Sequence, residues 1–224
     1  MNVRKYAAEL VGTFLFLAIA YLSVAAFKAA VPAIPGLLVV PFSFGLGLLA
    51  AVFAFGHISG GHFNPAVTVA MVLDGRTTPV DAVGHVVAQV AGALAAGALV
   101  MVAVSQEAVA AGITMPNAAA GISDTGALII ETVATAGFVA VILAATRRAP
   151  ALAALAIPLT LAAIHFAIAT LTGSGVNPAR SIGSAVIGGD VAALWIYIVA
   201  PVVGAVLGWL AWKLIDGGAD PVAA

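Results

Sequence analysis

The sequence from residue 56 to residue 68 reads GHISGGHFNPAVT, and a related stretch, GVNPARS, occupies residues 175–181. In both copies the triplet Asn-Pro-Ala opens a short apolar run, at 65–73 and at 178–187. Asparagine is among the preferred N-caps, and proline fits the first turn of a helix, so each triplet predicts a helix start. Neither run reaches the roughly 20 residues that a membrane-spanning helix needs. We therefore predict two short half-helices.

The composition places this chain in a lipid bilayer. Of its 224 residues 63% are hydrophobic and 8% charged, with a mean hydropathy of +1.20, whereas soluble domains carry about 25% charged residues. A net charge of −1 and the lack of basic runs argue against nucleic-acid binding. The apolar runs long enough to span a membrane are 6–27, 36–56, 82–104, 126–146, 151–171 and 192–215. The sequence predicts an all-α membrane protein with six transmembrane helices.

The chain repeats itself. Asn64-Pro65-Ala66 recurs as Asn177-Pro178-Ala179, and Glu9 in the first span has a counterpart in Glu131 in the fourth. We predict one transmembrane domain, 1–224, made of repeats at about 1–115 and 120–215 and a short cytoplasmic tail at 216–224. Because each repeat has three spans, the second must cross the membrane in the opposite sense, which is an inverted repeat with re-entrant half-helices.

Basic residues set the predicted orientation. With six spans, one side of the membrane receives Arg4, Lys5, Arg76, Arg147, Arg148 and Lys213. Apart from Lys28, the other side carries the acidic residues Glu107, Asp124 and Asp190. The positive-inside rule then predicts that both termini are cytoplasmic. The first apolar run continues to about residue 27 and contains Glu9, so we expect a retained span rather than a cleaved signal peptide.

The paired triplets suit a pore. If each asparagine caps its helix with the side-chain oxygen, its amide NH2 stays free to donate to something else. Two such amides, and two positive helix ends each worth about half an elementary charge, would meet where the repeats meet. That site would repel cations and offer two donors to a passing water oxygen.

These stretches resemble the major intrinsic protein (aquaporin) family, and within it the bacterial water channels of the Z type. Ala8-Glu9, Gly12-Thr13, Gln89 and Pro201 fit the same pattern. The resemblance implies a passive, water-selective channel in the cell (inner) membrane, with the lipid bilayer as its surroundings and water as its permeant. It also implies a homotetramer without a cofactor. In aquaporin-type pores, half-helix dipoles exclude protons and cations.

The resemblance also assigns residue roles. It implies a selectivity filter of Phe44, His165, Ser174 and Arg180. It implies a ladder of pore-lining backbone carbonyls at Gly60, Gly61, His62, Phe63, Gly173, Ser174 and Gly175. Glu9, Glu131 and Gln89 would be buried polar residues behind the pore, with the two acids accepting hydrogen bonds from the re-entrant loops. An arginine in a membrane segment is costly, so Arg180 is a functional candidate on physical grounds as well.

Other functions remain open. A channel for glycerol or other small neutral solutes is the main alternative; members that pass glycerol typically have a small residue where this chain has His165 and an aspartate where it has Ser181. A proton-coupled transporter would use Glu9 or Glu131. A membrane-embedded enzyme would need a nucleophile or a metal site, and the chain has no cysteine.

The remaining histidines and small residues have structural interpretations. His57 and His62 are five residues apart, not the four that places two metal ligands on one helix face, so no metal site is predicted. We expect His57 to be a loop-packing residue, His62 to line the pore and His85 to lie at the membrane interface. The small residues of Gly204-x-x-x-Gly208 and Ala93-x-x-x-Gly97 suit close helix crossings.

Overall fold

The computed structural model describes residues 2–29 and 36–216, all of whose regular elements are helical. The helices are α1 (Val3–Ala29), α2 (Gly36–Ser59), α3 (Pro65–Leu73), α4 (Pro79–Ala103), α5 (Gln106–Ala110), α6 (Asp124–Arg148), α7 (Pro150–Thr172), α8 (Pro178–Gly188) and α9 (Ile196–Asp216). A 3₁₀ turn covers Ala118–Ala120. The predicted tail at 216–224 lies outside the described residues, except for Asp216 at the end of α9.

Six of the described helices, α1, α2, α4, α6, α7 and α9, are long and apolar enough to cross a membrane. They match the six predicted spans, with ends that differ by a few residues. Large apolar side chains on their outer faces, such as Phe53 at 69% and Val133 at 66%, are exposed. Such exposure is expected where the surrounding solvent is lipid.

The two half-helices begin where the sequence predicts. Asn64 caps α3 by accepting the N–H of Ala66 at 2.9 Å, and Asn177 caps α8 by accepting the N–H of Ala179 at 3.0 Å. Proline occupies the first turn of each helix. Local capping chemistry therefore decides where the half-helices start.

The helix α5 and the 3₁₀ turn, both in the connection between α4 and α6, were not predicted from the sequence. They are too short for a hydropathy pattern to detect. Their caps carry a signal nonetheless, because Ser105 accepts the N–H of Ala108 and Asn117 accepts the N–H of Ala120. Serine and asparagine at such positions favour a helical turn.

The packing repeats between the two halves of the chain. In the first half α1 packs on α2 and α4, and in the second α6 packs on α7 and α9. The half-helices cross over, so that α3 packs on α9 and α8 packs on α4. Each half-helix is thus held mainly by a spanning helix of the other half, which brings the two Asn-Pro-Ala triplets together.

Small residues make the crossings close. A Cβ atom on Gly208 would lie 2.4 Å from the Ala136 carbonyl oxygen of α6, and one on Gly204 would lie 2.5 Å from that of Thr132. A Cβ atom on Gly97 of α4 would lie 3.0 Å from the Gly183 carbonyl oxygen of α8. The predicted close crossings are confirmed at both places.

Candidate functional site

The chain is unwound just before each half-helix. Phe63 and Val176, which directly precede Asn64 and Asn177, have φ angles of 47° and 43°. Left-handed backbone is uncommon for a bulky residue and costs of order 1–3 kcal/mol, so surrounding contacts must hold it. The two loops therefore adopt equivalent strained conformations, in which the backbone of residues 60–63 and 173–177 is not helical.

Glu9 holds the first loop. Its buried carboxylate accepts hydrogen bonds from Ser59 Oγ at 2.6 Å, the His62 N–H at 3.0 Å and the Phe63 N–H at 2.7 Å. Gln89 Nε2 donates a fourth at 2.7 Å. Hydrogen bonds to an ionised group are the stronger kind and offset the cost of burying it. The carboxylate thereby holds the strained loop in place.

Glu131 holds the second loop in the same way. Its carboxylate accepts from Thr172 Oγ1 at 2.6 Å, the Gly175 N–H at 2.8 Å and the Val176 N–H at 2.7 Å. Tyr197 adds a hydrogen bond from its hydroxyl to the Thr172 carbonyl at 2.7 Å. Neither acid is left with a bare carboxylate, which favours a structural role over a proton relay.

The two asparagines bind each other's loops. Asn64 Nδ2 donates to the Val176 carbonyl at 2.9 Å, and Asn177 Nδ2 donates to the Phe63 carbonyl at 2.9 Å. Each amide group is free of the cap and donates elsewhere, as expected, but one N–H of each is used in this reciprocal pair, which the sequence did not predict. The second N–H of each remains available. The Phe63 carbonyl, expected to line the pore, also accepts a protein hydrogen bond.

Three of the four predicted filter residues come together. The rings of Phe44 and His165 are stacked with centroids 4.1 Å apart and planes at 28°. The guanidinium carbon of Arg180 lies 5.1 Å from the Phe44 centroid. Ser174 is fully buried, but it is not among the residues that line the cavity described below.

Backbone groups fix the Arg180 side chain. Nη1 donates to the Gly112 carbonyl at 2.5 Å and to Ser184 Oγ at 3.2 Å, and Nη2 donates to the Gly173 carbonyl at 3.2 Å. The Tyr21 hydroxyl donates to the carbonyl of Arg180 itself at 2.5 Å. The Gly112 contact could not be predicted from the sequence, because a carbonyl oxygen is common to every residue type.

The constriction presents a polar donor and a polar acceptor. His165 Nδ1 lies 3.0 Å from the Leu161 carbonyl, a contact that requires the proton on Nδ1 and leaves a lone pair on Nε2. That Nε2 and Arg180 Nε have no hydrogen-bond partner among the described residues, and, unlike Ser174, both residues line the cavity. Buried polar atoms are normally satisfied, so these atoms are suited to a small polar molecule.

A cavity of about 510 Å³ runs from this constriction to the opposite end of the helices. At that far end it is lined by Lys5, Arg76 and Asp81. The predicted carbonyl residues that line it are Gly60, Gly61, His62, Phe63 and Gly175; Gly173 and Ser174 do not. The facing wall is apolar, with Leu48, Val52, Phe138, Ile142, Ile157 and Leu161.

The histidines are placed differently from expectation. His85, expected at the membrane interface, is 2% exposed, lines the cavity and contacts the predicted pore residue His62. The reason is that α4 turns this face toward the loop before α3 rather than toward lipid. His57, expected to pack in a loop, lies in the last turn of α2 as an exposed residue that also lines the cavity.

Fold and site together define a membrane channel protein with two convergent half-helices. The sequence profile described as "Major intrinsic protein" matches residues 1–212, and this chain belongs to that family, whose members are channels rather than enzymes. The glycerol uptake facilitator protein-like 6 of Lactiplantibacillus plantarum is 40% identical over 210 residues, covering 92% of this chain and 94% of that protein.

A solved structure has the same fold. The X-ray structure of the aquaglyceroporin from Plasmodium falciparum superposes with a TM-score of 0.86, at 22% sequence identity. The match covers 97% of this chain and 100% of that one. At this level of identity the likeness establishes the fold alone.

Proposed function

We propose that this chain is a passive channel that conducts water in single file and excludes protons and ions. The observation that carries the proposal is the constriction formed by Phe44, His165 and Arg180. The stacked rings, 4.1 Å apart between centroids, occupy one side, and the anchored guanidinium faces them. A carbon-bearing solute would have to pass two rings and a fixed cation together.

The polar atoms at the constriction support water as the permeant. Arg180 Nε can donate and His165 Nε2 can accept, so a water molecule can exchange its bulk hydrogen bonds for these two. These two hydrogen bonds therefore offset the free-energy cost of moving a water molecule from bulk solvent into the constriction. An ion would need its whole hydration shell replaced in a low-dielectric surrounding, which these few groups cannot do.

The exclusion of cations and protons follows from the paired half-helices. The positive ends of α3 and α8 and the charge of Arg180 repel cations. The remaining amide N–H groups of Asn64 and Asn177 would donate to a passing water oxygen. A water held by two donors cannot accept a hydrogen bond from the next water, which interrupts proton hopping along the file.

A second candidate is a channel for glycerol or other small neutral solutes. The name of the 40% identical relative favours it. His165 narrows the constriction in this chain, and Ser181 stands where glycerol-conducting members typically have an aspartate. We therefore propose water as the main permeant, and the experiment below distinguishes it from glycerol.

The surroundings of the channel belong to the same proposal. We place it in the cell membrane with both termini cytoplasmic, because the basic helix ends fall on one side. We also expect a homotetramer with one pore in each chain. Cross-linking of the purified protein and protease access to the terminal tail in sealed vesicles would check these two points.

Stopped-flow light scattering on proteoliposomes tests the permeant. Shrinkage in an impermeant osmolyte reports water, and re-swelling in glycerol reports glycerol. We expect fast shrinkage with little glycerol flux for the wild type. His165→Ala should raise glycerol flux by at least about tenfold, a barrier change of roughly 1.4 kcal/mol.

Phe166→Ala is the matched control, since it removes an exposed ring next to His165 that does not line the cavity, and it should leave both fluxes unchanged. Fast glycerol flux in the wild type would instead establish the second candidate. Shrinkage no faster than that of empty liposomes would overturn the water channel.

A further inference from the structure

His62 and His85 form a pair of imidazoles inside the cavity, away from the constriction. Their Nδ1 atoms lie 3.3 Å apart, and their ring centroids lie 4.9 Å apart with planes at 74°. The side chains are 7% and 2% exposed, and both line the cavity. They come from the loop before α3 and from α4, so 23 residues separate them in sequence.

Neighbouring hydrogen bonds assign the proton of this pair. Thr68 Oγ1 accepts from Gln89 Nε2 at 3.0 Å and lies 3.1 Å from the Asn64 carbonyl, to which it donates its one proton. Its contact with His62 Nδ1 at 3.0 Å therefore needs an N–H from His62. That N–H cannot also accept, so His85 Nδ1 presents a lone pair toward it.

His85 is poorly satisfied in this arrangement. The lone pair on His85 Nδ1 faces the His62 N–H, which is already shared with Thr68. The proton of His85 is then on Nε2, and this atom has no partner among the described residues. A buried histidine usually satisfies both nitrogens. The single N–H of His62 Nδ1 is thus shared between Thr68 Oγ1 and His85 Nδ1, at a place where two imidazole nitrogens converge.

We propose that His62 and His85 form a binding site for Zn²⁺ within the pore, with their two Nδ1 atoms as ligands. A tetrahedral zinc with Zn–N bonds of about 2.0–2.1 Å holds two ligand nitrogens ~3.3–3.4 Å apart. The observed Nδ1 separation is 3.3 Å. Small ring rotations would direct both lone pairs at one metal ion.

The proton balance is simple. When zinc binds, His62 becomes a ligand through Nδ1 and carries its one proton on Nε2 instead, so neither imidazole loses its proton overall. Among the described residues no group of three or more metal-ligating side chains occurs. Water therefore completes the coordination, and a zinc-bound water can donate to the Thr68 oxygen that His62 has released.

Charges around the pair set the strength of binding. The Glu9 carboxylate accepts a hydrogen bond from the backbone N–H of His62 at 3.0 Å, and Asp81 lies one turn before His85 on α4. Both negative charges favour the binding of a dication. The positive end of α3 and Lys5, which is 3.6 Å from Asp81, oppose it. Zinc should consequently bind reversibly rather than as a permanent part of the protein.

Bound zinc and its water molecules would occupy the pore beside His62 and stop flow. This consequence rests on the proposed water channel, whereas the binding itself does not. The chain contains no cysteine, so no thiol competes for the metal. Of the two other histidines, His57 is exposed, and His165 uses Nδ1 on the Leu161 carbonyl.

Titration calorimetry of tag-free purified protein with ZnCl2 tests the binding, and stopped-flow shrinkage of zinc-loaded proteoliposomes tests the closure. We expect one zinc per chain and a loss of most water permeability that EDTA reverses and MgCl2 does not reproduce. His85→Phe keeps a ring against Tyr6, whose ring centroid lies 6.0 Å from that of His85, but removes the ligand. The His85→Phe variant should bind zinc at least about tenfold more weakly than the wild type.

His85→Asn is a second variant, in case the larger ring disturbs packing. Val87→Ala is the matched control, because Val87 is an exposed residue of the same helix that does not line the cavity. Both His85 variants should conduct water without zinc inhibition, and Val87→Ala should behave as the wild type. Equal zinc affinity in the wild type and in a folded His85 variant would overturn the site. If the wild type conducts no water, calorimetry alone decides between binding and no binding.

Discussion

Asn64 and Asn177 each use one short side chain for several contacts. The oxygen caps a half-helix, one amide N–H binds the opposite loop, and one amide N–H remains. Asparagine is the shortest side chain with an acceptor and two donors. Aspartate would keep the cap and lose both donors.

Asn64→Asp should destabilise the protein by about 2–4 kcal/mol. The new carboxylate would face the Val176 carbonyl, so two acceptors would meet in a buried place, and such changes cost most when a charge is left unpaired. The midpoint of thermal unfolding in detergent measures the effect.

Asn117→Asp is the control for that substitution. Asn117 also caps a turn and donates to a backbone carbonyl, that of Thr170 at 2.8 Å, but at an exposed site. It should change stability by less than about 1 kcal/mol. Equal shifts in the two variants would show that the reciprocal bond contributes little.

At the scale of single residues, the functional side chains could be predicted from the sequence, but most of their contacts could not. Arg180, Glu9 and Glu131 stand out because charges in apolar segments are costly. The Gly112 carbonyl and the position of His85 did not stand out. A backbone oxygen has no sequence signal, and the side of α4 that faces the pore depends on packing.

The spanning helices are held together by glycine contacts at their crossings. Gly204 and Gly208 of α9 lie against the backbone of α6 at Thr132 and Ala136. In lipid the hydrophobic effect does not drive helices together, so close van der Waals packing has to do so. The α6–α9 crossing should therefore tolerate no added volume.

Gly208→Ala should lower stability by about 1–3 kcal/mol. Its Cβ would lie 2.4 Å from the Ala136 carbonyl oxygen, so the helices would have to separate. Gly137→Ala in α6 is the control, because nothing lies within 4 Å of its Cβ, and alanine favours a helix by up to about 1 kcal/mol. An unfolding midpoint for Gly208→Ala at or above that of Gly137→Ala would contradict the packing argument.

At the scale of the whole molecule, Asp74 joins three parts of the chain. Its buried carboxylate lies 2.8 Å from Arg76 Nε, 2.9 Å from Arg147 Nη2 and 3.2 Å from Lys213 Nζ. Burial raises the pKa of this carboxyl, but the hydrogen bonds from Arg147 and Lys213 and the charge of Arg76 outweigh it, and the pKa lies below its ordinary value. The end of α3 is thereby tied to the ends of α6 and α9.

Asp74→Asn should lower stability at neutral pH by about 1–2 kcal/mol, between the values for exposed and buried ion pairs. Because the folded pKa is depressed, the carboxylate's contribution is complete above the unfolded pKa of about 3.9 and is lost as pH falls through the lower folded pKa. The difference in unfolding free energy between wild type and Asp74→Asn should therefore persist down to about pH 4 and disappear below it.

Asp190→Asn controls for the loss of one negative charge, since Asp190 is exposed and caps the Ala192 N–H at 2.9 Å. It should leave the unfolding midpoint nearly unchanged over the same pH range. A stability gap for Asp74→Asn that widens in acid would contradict the depressed pKa.

Features that act over short stretches of chain could be predicted from the sequence: the six spans from hydropathy, the half-helices from Asn-Pro caps, and the costly buried charges. Features that join distant residues could not. Asn64 and Val176 are 112 residues apart, and Asn177 and Phe63 are 114 apart. These two hydrogen bonds form because α3 packs on α9 and α8 packs on α4, an arrangement set by the fit of whole helices. The pairing of His62 with His85 follows from the same packing.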